Sequence, residues 1–376
     1  MTFRFIHSSD LHLGRRFGNI PQPPDGNIRG RLMEARHNSI VRLAETARSR
    51  GAGHVLLAGD TFDTPTPSQS VLRQSLSAMG AADDVHWWIL PGNHDNLQDA
   101  EPLWETIGRE APANVHAVTD PAPINLEPVV SLLPSPVSYR SAGRDLTDNL
   151  ASMPSADGAL RIGLAHGGVV DFTDGRANIP PDRDRSARLD YLALGDWHGR
   201  TAITPRTHYS GSPEQDRFKH GRRGVCLVVT IDGPGAIPLV EEVETGNFLW
   251  AQSELPLLAE SNAADALEAM LPQNNRRDLL MRIRATGWSS LSGQSELKRT
   301  ANRLGPEFAH FELDTAQLST IYETADLDEI DKAGALRLAA NELMEAAKSD
   351  ALSSDDRSVA AAALSRLYAY VKETDQ

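Results

Sequence analysis

The chain has 376 residues, which is enough for two or three domains at roughly 100–200 residues each. Hydrophobic residues make up 40% and charged residues 23%, which excludes a disordered chain, and the single cysteine, Cys226, excludes a disulfide framework or a cysteine-rich zinc site. The net charge of −14 argues against a general nucleic-acid coat protein but not against a nuclease, because most of the excess acid lies after residue 240.

Short apolar runs alternate with helical patterns in the first hundred residues. Phe3–Ser8, His54–Ala58 and Val85–Leu90 have the length and composition of strands. Arg31–Arg50 and Ser68–Met79 carry apolar residues at helical spacing, and each is followed by a glycine, which commonly ends a helix. Strands that alternate with helices predict an α/β sheet rather than a sandwich of strands alone.

The pattern changes twice further along the chain. Frequent Pro, Gly and Asp between residues 112 and 158 indicate loops and short strands, and three further strands follow at Leu160–Ala165, Tyr191–Leu194 and Gly224–Ile231. A shift to Ala, Leu and Glu near Gly246–Leu258 indicates a domain boundary. Beyond it the patterns predict one strand, Leu279–Ala285. They also predict four helices, at Ala263–Leu271, Gln294–Leu304, Leu327–Lys348 and Asp355–Glu373. We therefore predict a first domain over residues 1–245, a second over 256–350 and a C-terminal helix over 351–376.

The most informative feature is a set of polar clusters, each of which follows a predicted strand. Their members are Asp10 and His12, Asp60 and Asp63, Asn93 with His94 and Asp95, His166, and Asp196 with His198. Ligands bind outside the carboxyl ends of the strands in an α/β sheet, so we expect these clusters to converge on one site. Any one cluster alone is better explained as a turn, a helix cap or a core histidine. The order and position of the whole set favour a shared site.

The residue types in these clusters indicate a metal site. Carboxylate, imidazole and amide oxygen with no thiolate suit Mn²⁺, Fe or Zn²⁺ far better than Cu(I) or an iron–sulfur cluster. A pair of metals about 3.5–4 Å apart is a known clamp for in-line displacement at phosphorus, and it needs a bridging ligand. Asp60 is the natural bridge, because a carboxylate offers two oxygens and Asp60 follows a glycine at the centre of the set.

These motifs together resemble the calcineurin-like metallophosphoesterase superfamily. Within it the chain is most similar to the SbcD-type DNA repair exonucleases, nuclease partners of a coiled-coil SMC-like ATPase. The opening Phe-Ile-His-Ser-Ser-Asp-Leu-His-Leu-Gly, the Leu-Ala-Gly-Asp-Thr-Phe-Asp block and the segment Tyr209-Ser-Gly-Ser-Pro213 carry this closer similarity, and the specific motifs cover residues 1 to about 240. The resemblance implies an α/β fold, a metallophosphoesterase β-sandwich flanked by helices, with a smaller C-terminal α/β capping domain.

The resemblance also implies a role for each motif residue. It implies that Asp10, His12 and His198 bind a first metal and that Asp60 bridges the two metals. It implies Asn93 and His166 as ligands of the second metal. His94 would lie over the scissile phosphate, Asp95 would orient His94, and Asp63 would assist nearby. The cofactors would be two divalent ions, Mn²⁺ in the first place and Mg²⁺, Fe or Zn²⁺ as alternatives. They would activate a hydroxide that attacks phosphorus in line.

The last motif departs from the family pattern. The family usually has Gly-His-x-His, and this chain has Gly195-Asp196-Trp197-His198. Asp196 can replace the missing histidine as a ligand of the second metal, and its negative charge would then favour harder cations. In the alternative, Asp196 turns away and the second metal site is weak.

Other residues are candidates for contact with substrate or partners. Arg15, Arg16, Asp63 and Trp197 flank the metal motifs. Two basic groups are either solvated faces or contacts for DNA phosphates or an acidic partner: Arg217, Lys219, Arg222 and Arg223, and Arg276, Arg277, Arg282 and Arg284. The apolar stripe of the last predicted helix either packs onto its own domain or, by family analogy, docks on the ATPase coiled coil.

The sequence favours a metal-dependent DNA nuclease of DNA repair. A small-molecule phosphodiesterase on the same scaffold and a weakly active protein that anchors an ATPase are the alternatives. DNA, an SMC-like ATPase and, by family analogy, a second copy of the chain are the expected partners. No apolar stretch approaches the roughly 18–20 residues of a membrane span, and no signal-peptide pattern precedes the first strand, so we expect a cytoplasmic protein without a membrane partner.

Overall fold

The computed structural model describes residues 2–140, 143–170, 172, 178–321, 328, 330–331 and 334–374. The chain forms two compact units, Met1–Leu249 and Trp250–Gln376. Among the described residues, no helix combines the length and the apolar character that a bilayer crossing requires.

The first sheet of the N-terminal unit is built on parallel strands joined by helices. Its strands are β1 (Phe3–Ser8), β2 (His54–Leu57), β3 (His86–Ile89), β4 (Val115–Ala117), β11 (Val225–Ile231) and β12 (Leu239–Glu244). They lie in the order β12-β11-β1-β2-β3-β4, in which β1 to β4 are parallel and the pairs β1–β11 and β11–β12 are antiparallel. The connecting helices are α1 (Ile28–Arg50), α2 (Gln69–Gly80) and α3 (Glu101–Glu110).

The ends of these helices follow from local chemistry. The Ser68 side chain accepts a hydrogen bond from the backbone N–H of Val71 and so caps the start of α2. Helix α1 ends at Gly51, whose φ of 65° lies in the left-handed region that glycine adopts at low cost. Both boundaries lie within a few residues of those predicted from the sequence.

The second sheet of the same unit is also mostly parallel. Its strands are β5 (Ile124–Glu127), β6 (Val130–Ser135), β7 (Leu160–His166), β8 (Tyr191–Gly195), β9 (Thr201–Ala202) and β10 (Thr207–Tyr209), in the order β5-β6-β7-β8-β10-β9. Strands β6, β7, β8 and β10 are parallel to one another, and the edge strands β5 and β9 are antiparallel to their neighbours. A short helix, α4 (Arg183–Ser186), precedes β8.

The two sheets pack against each other, and the helices cover the outer face of the first sheet. Phe5 and Leu56 of the first sheet share one buried cluster with Ile162 and Tyr191 of the second. A separate cluster on the other face of the first sheet includes Leu43 of α1, Leu72 of α2 and Trp104 of α3. The N-terminal unit is therefore a β-sandwich flanked by helices, which confirms the predicted fold class. The alternation of strands and helices by itself indicates only one α/β sheet. The pattern within a strand does not show which other sheet or helix packs on its face.

The C-terminal unit is a smaller α/β structure. Its sheet has the order β13-β14-β15, formed by β13 (Leu249–Leu257), β14 (Leu279–Ser290) and β15 (His310–Ile321). Strands β14 and β15 are parallel and are connected by α6 (Leu291–Leu304). Further helices in the described ranges of this unit are α5 (Ala263–Met270), α7 (Ala335–Lys348) and α8 (Ser354–Thr374). Strand β15 is not among the predicted elements, because its residues are mostly polar and only partly buried.

The end of the chain carries the two last predicted helices, one of them with a different start. The described part of the expected helix Leu327–Lys348 includes α7, which begins only at Ala335, and Leu327 itself lies outside the described residues. Helix α8 carries the predicted apolar stripe, and its Leu364 and Tyr368 are buried in one cluster with Leu291 and Ala340. The stripe therefore packs within the C-terminal unit, which is the first of the two alternatives that the sequence left open.

Candidate metal centre

The strands that carry the polar clusters end at one place. Strands β1, β2 and β3 are parallel neighbours in the first sheet, and β7 and β8 are parallel neighbours in the second. The residues that follow them meet across the two sheets, since the Asp60 carboxylate lies 3.6 Å from Nε2 of both His12 and His166. The convergence expected from the sequence thus brings side chains of both sheets together.

Acidic and histidine side chains in the described chain form three overlapping groups that could hold a metal ion: Asp10, His12 and His198; His12, Asp60 and His94; and Asp10, Asp60 and His166. Two donors that each lie about 2.0–2.2 Å from one ion are about 3–4 Å apart. The separations fit this range, with Nε2 of His198 3.9 Å from Oδ1 of Asp10 and Oδ2 of Asp60 3.6 Å from both His12 and His166. Asp60 therefore lies between two sets of donors, where a bridging ligand would be.

Several buried donors in this cluster lack any hydrogen-bond partner. They are Nε2 of His12, Oδ1 of Asn93 and Nε2 of His166. The other ring nitrogen of His166 donates to the Ala58 carbonyl at 2.8 Å, so the neutral ring presents the lone pair of Nε2 to the cluster. Buried polar atoms are normally paired, and two orphaned histidine nitrogens beside the Asp60 carboxylate fit a cation in the centre.

The electrostatics of the cluster point in the same direction. Burial, with the neighbouring Asp95 and Asp10 carboxylates adding to it, raises the pKa of Asp60 well above its usual value. Burial alone would lower the pKa of His166, but the carboxylates of Asp60 and Asp10 raise it to about 9. The crowded acids thus hold positive charge on this imidazole, and a bound cation can replace that proton.

The backbone of the cluster is held in an unusual conformation. Asp10, His12, Asp60 and Asp196 have φ values of 54°, 44°, 52° and 101°, in the region that residues other than glycine rarely adopt. Each such residue costs on the order of 1–3 kcal/mol and persists only where the surrounding structure imposes it. Close packing also requires glycine beside them, because a Cβ on Gly92 would lie 2.2 Å from Oδ1 of Asp60.

His94 is fixed on the open side of the cluster. Its backbone N–H donates to Oδ1 of Asp60 at 2.8 Å, and its Nδ1 donates to the main-chain oxygen of Asp63 at 2.8 Å. The role predicted for Asp95, orienting His94, stays a prediction, and its carboxylate is hydrogen-bonded to the backbone. The Asp95 carboxylate accepts from the backbone N–H groups of Gly92 and Phe62, and so it braces the loops on which Asn93 and His94 lie.

Comparison with known proteins agrees with this geometry. A model of the calcineurin-like phosphoesterase family matches residues 3–230. The chain belongs to this family. It is 28% identical over 242 residues to the uncharacterized metallophosphoesterase YhaO of Bacillus subtilis (strain 168), a match that covers 61% of this chain and 58% of YhaO.

Two relatives carry a more specific name. The D subunit of the SbcCD nuclease from Bacillus subtilis (strain 168) is 26% identical over 285 residues, which cover 64% of this chain and 69% of the relative. The D subunit of the SbcCD nuclease from Escherichia coli (strain K12) is 30% identical over 97 residues, which cover 25% of this chain and 22% of the relative. The chain thus spans less than two thirds of the length of YhaO and only about a fifth of the E. coli relative.

Asp196, the departure from the usual motif of the calcineurin-like phosphoesterase family, faces the cluster. Its Oδ1 lies 3.8 Å from Nε2 of His166, and a third of its side chain is exposed. Its backbone N–H points to the Asp10 carboxylate at 3.2 Å. The Asp196 carboxylate thus lies beside His166 but belongs to none of the three candidate groups above, and its role as a ligand of the second metal stays a prediction.

The residues expected to contact substrate differ in how accessible they are. Arg16 is exposed, but Arg15 lies in ion pairs with Asp63 at 3.3 Å and Asp216 at 3.2 Å. Trp197 is packed at the rim, with the Lys219 ammonium 4.1 Å from its ring centre. The Asp63 carboxylate lies 3.3 Å from Nδ1 of His12 and so supports a candidate ligand rather than facing substrate.

Most of the remaining basic candidates are paired with acids of this phosphoesterase. The pairs are Arg217 with Asp216, Arg222 with Glu242, Arg223 with Glu244, Arg276 with Glu307, Arg282 with Glu312, and Arg284 with Asp314. The strand spacing of Arg282 and Arg284 thus serves ion pairs across β14 and β15 rather than a free basic face.

Asp216, which the sequence motifs do not single out, holds the candidate ligand His198 in place. Its buried carboxylate accepts from Nδ1 of His198 at 3.3 Å and pairs with the buried Arg36 at 3.3 Å. Burial would raise the pKa of Asp216, but the hydrogen bond with His198 and the charge of Arg36 hold it well below its usual value. The Arg217 guanidinium also lies 3.3 Å from Nε2 of His198. The only available signal was the position of Asp216 just after the Ser-Gly-Ser-Pro segment.

Proposed function

We propose that this phosphoesterase is a metal-dependent nuclease that hydrolyses phosphodiester bonds of DNA. One observation carries the metal-dependent chemistry: the buried Nε2 atoms of His12 and His166, which have no hydrogen-bond partner among the described residues, each lie 3.6 Å from the Asp60 carboxylate where the strands of two sheets end. The choice of DNA is supported by the two relatives named as the D subunit of the SbcCD nuclease and by the similarity of the opening motifs.

The residues of the centre divide into two candidate sets. Asp10, His12 and His198 would hold one ion, and Asp60 would bridge. Asn93 and His166, the ligands that the family resemblance implies, would hold the other together with Asp196, whose carboxylate lies 3.8 Å from His166. Such a pair supplies positive charge at the phosphoryl oxygens and lowers the pKa of a water that serves as the nucleophile. We propose Mn²⁺ for both sites, because the Asp196 carboxylate replaces a nitrogen donor with a harder oxygen donor.

His94 would act on the leaving group. With Nδ1 committed to the Asp63 carbonyl, Nε2 is the ring atom that can reach substrate. In its imidazolium form the ring donates a proton from Nε2 to the leaving oxygen as the P–O bond breaks, and the neutral ring keeps its Nδ1–H bond. The backbone bond from His94 to Asp60 couples the position of this acid to the metal centre.

Two other functions remain as alternatives. A small-molecule phosphodiesterase would use the same residues without preference for DNA. A protein that anchors an ATPase would have little turnover. The ATPase partner, a homodimer and the cytoplasmic location stay predictions from the sequence.

The first experiment compares linear duplex DNA, single-stranded DNA and a small chromogenic phosphodiester as substrates of the purified chain with Mn²⁺. Asp60→Asn removes the bridge and should abolish turnover together with bound metal, whereas His94→Asn should lower kcat about 10²–10⁴-fold and leave metal content nearly unchanged. Asp84→Asn, an exposed acid paired with Arg48, is the matched control and should behave as the wild type.

The outcomes separate the alternatives. DNA cleavage that Asp60→Asn lacks supports the nuclease. Cleavage of the small ester alone contradicts it and favours the small-molecule enzyme. Full activity of His94→Asn would show that its role is misassigned.

A further inference from the structure

A cavity of about 760 Å³ opens beside the metal centre of the N-terminal unit. Asn93, His166 and Asp196, the candidate ligands of the second ion, form part of its lining. Tyr139, Arg140 and Arg144, from the segment after β6, line it as well. A substrate bound with its phosphate at the centre would therefore extend toward these three side chains.

The two arginines differ from most others in the described part of the chain. No described carboxylate lies within ion-pair distance of Arg140 or Arg144. Other arginines of the N-terminal unit are paired, with Arg183 bound to Asp145 and Arg200 2.9 Å from Glu242. Guanidinium groups that line a cavity and have no acidic partner among the described residues can bind an anion, and arginine suits the oxygens of a phosphate.

Tyr139 adds a second kind of contact. Its side chain is 57% exposed, among the highest values for a large hydrophobic residue in the N-terminal unit. An exposed ring next to free guanidinium groups is the combination that binds single-stranded nucleic acid, because bases stack on the ring and cations bind the backbone. A cavity of this volume is in the range of about 300–1,000 Å³ that holds one small ligand, and one unpaired nucleotide suits it better than a duplex.

We propose that Tyr139, Arg140 and Arg144 form a subsite for an unpaired nucleotide next to the scissile phosphodiester. The arginines bind the adjacent phosphate, and Tyr139 stacks on the base. The subsite selects a single-stranded polynucleotide over a small phosphodiester, since a small ester has no second phosphate. This inference rests on the proposed nuclease function and gives that function a substrate preference.

The test measures selectivity rather than activity alone. The ratio of kcat/KM for a single-stranded oligonucleotide to kcat/KM for a small chromogenic phosphodiester is compared in Mn²⁺ for the wild type and R140A/R144A. We expect the ratio to fall about tenfold or more, and the dependence of oligonucleotide binding on salt to weaken by about 0.7 in log–log slope for each phosphate that is no longer bound. R73A/R109A removes two exposed arginines of α2 and α3 and should keep the wild-type ratio.

The tyrosine is tested with a matched pair. Tyr139→Ala should lower the ratio several-fold, whereas Tyr139→Phe, which keeps the ring face, should retain it. Binding of a fluorescent single-stranded oligonucleotide, measured by anisotropy, provides a readout that needs no turnover.

Each outcome bears on one claim. If the wild type cleaves DNA but R140A/R144A has an unchanged ratio and unchanged oligonucleotide affinity, the subsite is refuted and the nuclease function stands. If the wild type hydrolyses only the small ester and does not bind the oligonucleotide, both are refuted.

Discussion

Asp216 joins a candidate metal ligand to a buried cation. The carboxylate holds Nδ1 of His198 and is itself held by Arg36, whose side chain is almost fully buried. A carboxylate in this place fixes the orientation of the imidazole and raises the basicity of its other nitrogen. The same carboxylate neutralises Arg36, which would otherwise be a buried charge with few partners.

Asp216→Asn should weaken Mn²⁺ binding about 10–100-fold, because outer partners of ligating histidines have effects of this size. Calorimetric titration with Mn²⁺ measures the affinity directly, and Asp84→Asn again serves as the exposed control. An unchanged affinity in a folded Asp216→Asn protein would mean that His198 needs no partner or does not bind the ion.

Close packing at the ends of the strands controls where the ligands lie. A Cβ on Gly195, the last residue of β8, would lie 1.9 Å from the Ala58 carbonyl and 2.8 Å from Nδ1 of His166. That carbonyl is the acceptor that fixes the His166 ring. The glycine at this strand end is therefore a requirement of the centre rather than of the strand.

Gly195→Ala should lower the free energy of unfolding by about 1–3 kcal/mol and reduce metal affinity, because the backbone must move away from Ala58. Gly108→Ala is the opposite case, since nothing lies near its Cβ position within α3. It should raise the free energy of unfolding by about 0.5–1 kcal/mol. Urea unfolding of both variants tests the contrast, and equal effects would contradict the packing argument.

The beginning of β2 carries a pH-sensitive contact at the opposite end of the strand from the ligands. The Trp88 indole N–H donates to Nδ1 of His54 at 3.1 Å, so His54 must be neutral there. Burial, together with the neighbouring His86 and His116, lowers the pKa of His54 to about 4. The unfolded chain, with an ordinary histidine pKa of about 6.5, binds this proton more readily.

The free energy of unfolding should therefore fall as the pH is lowered from about 6.5 to about 4, with His54 accounting for up to about 3 kcal/mol of the loss. His54→Gln cannot take up the proton, so its unfolding free energy should depend less on pH over this window. Denaturant titrations of both proteins at several pH values provide the measurement, and parallel curves would rule out the contribution of His54.

The whole N-terminal unit is expected to gain stability from its metal ions. Metal ligands are brought together only in the folded unit, so Mn²⁺ at a hundred times its Kd should add about 2.7 kcal/mol. For a unit of this size that corresponds to a rise in Tm of about 5–10 °C. A thermal scan with Mn²⁺ and with a chelator tests this, and the shift should be small in Asp60→Asn. An equal Tm of the wild type in Mn²⁺ and in chelator would argue against a metal site in this unit.

The sequence by itself determined the order of strands and polar clusters, and with it the identity of the centre. Asp10, His12, Asp60, Asn93 and His166 could be named as candidates because each ends its strand or lies within four residues of its end, and this spacing can be read along the chain. The same reasoning found the two helices that flank β2 and the departure at Asp196. These features depend on neighbours along the chain, which hydrophobic periodicity and turn residues report.

Only the tertiary structure decided which charges meet. The pairing of Asp216 with His198 and Arg36 and the neutralisation of Arg222 and Arg223 all involve residues distant in sequence or facing another strand. The alternation of strands and helices indicates only one sheet. The structure has two facing sheets, because the element on which a strand packs is distant in sequence. An arginine has the same local pattern whether it is free or paired, because its partner lies on another element and is fixed only when the sheets pack.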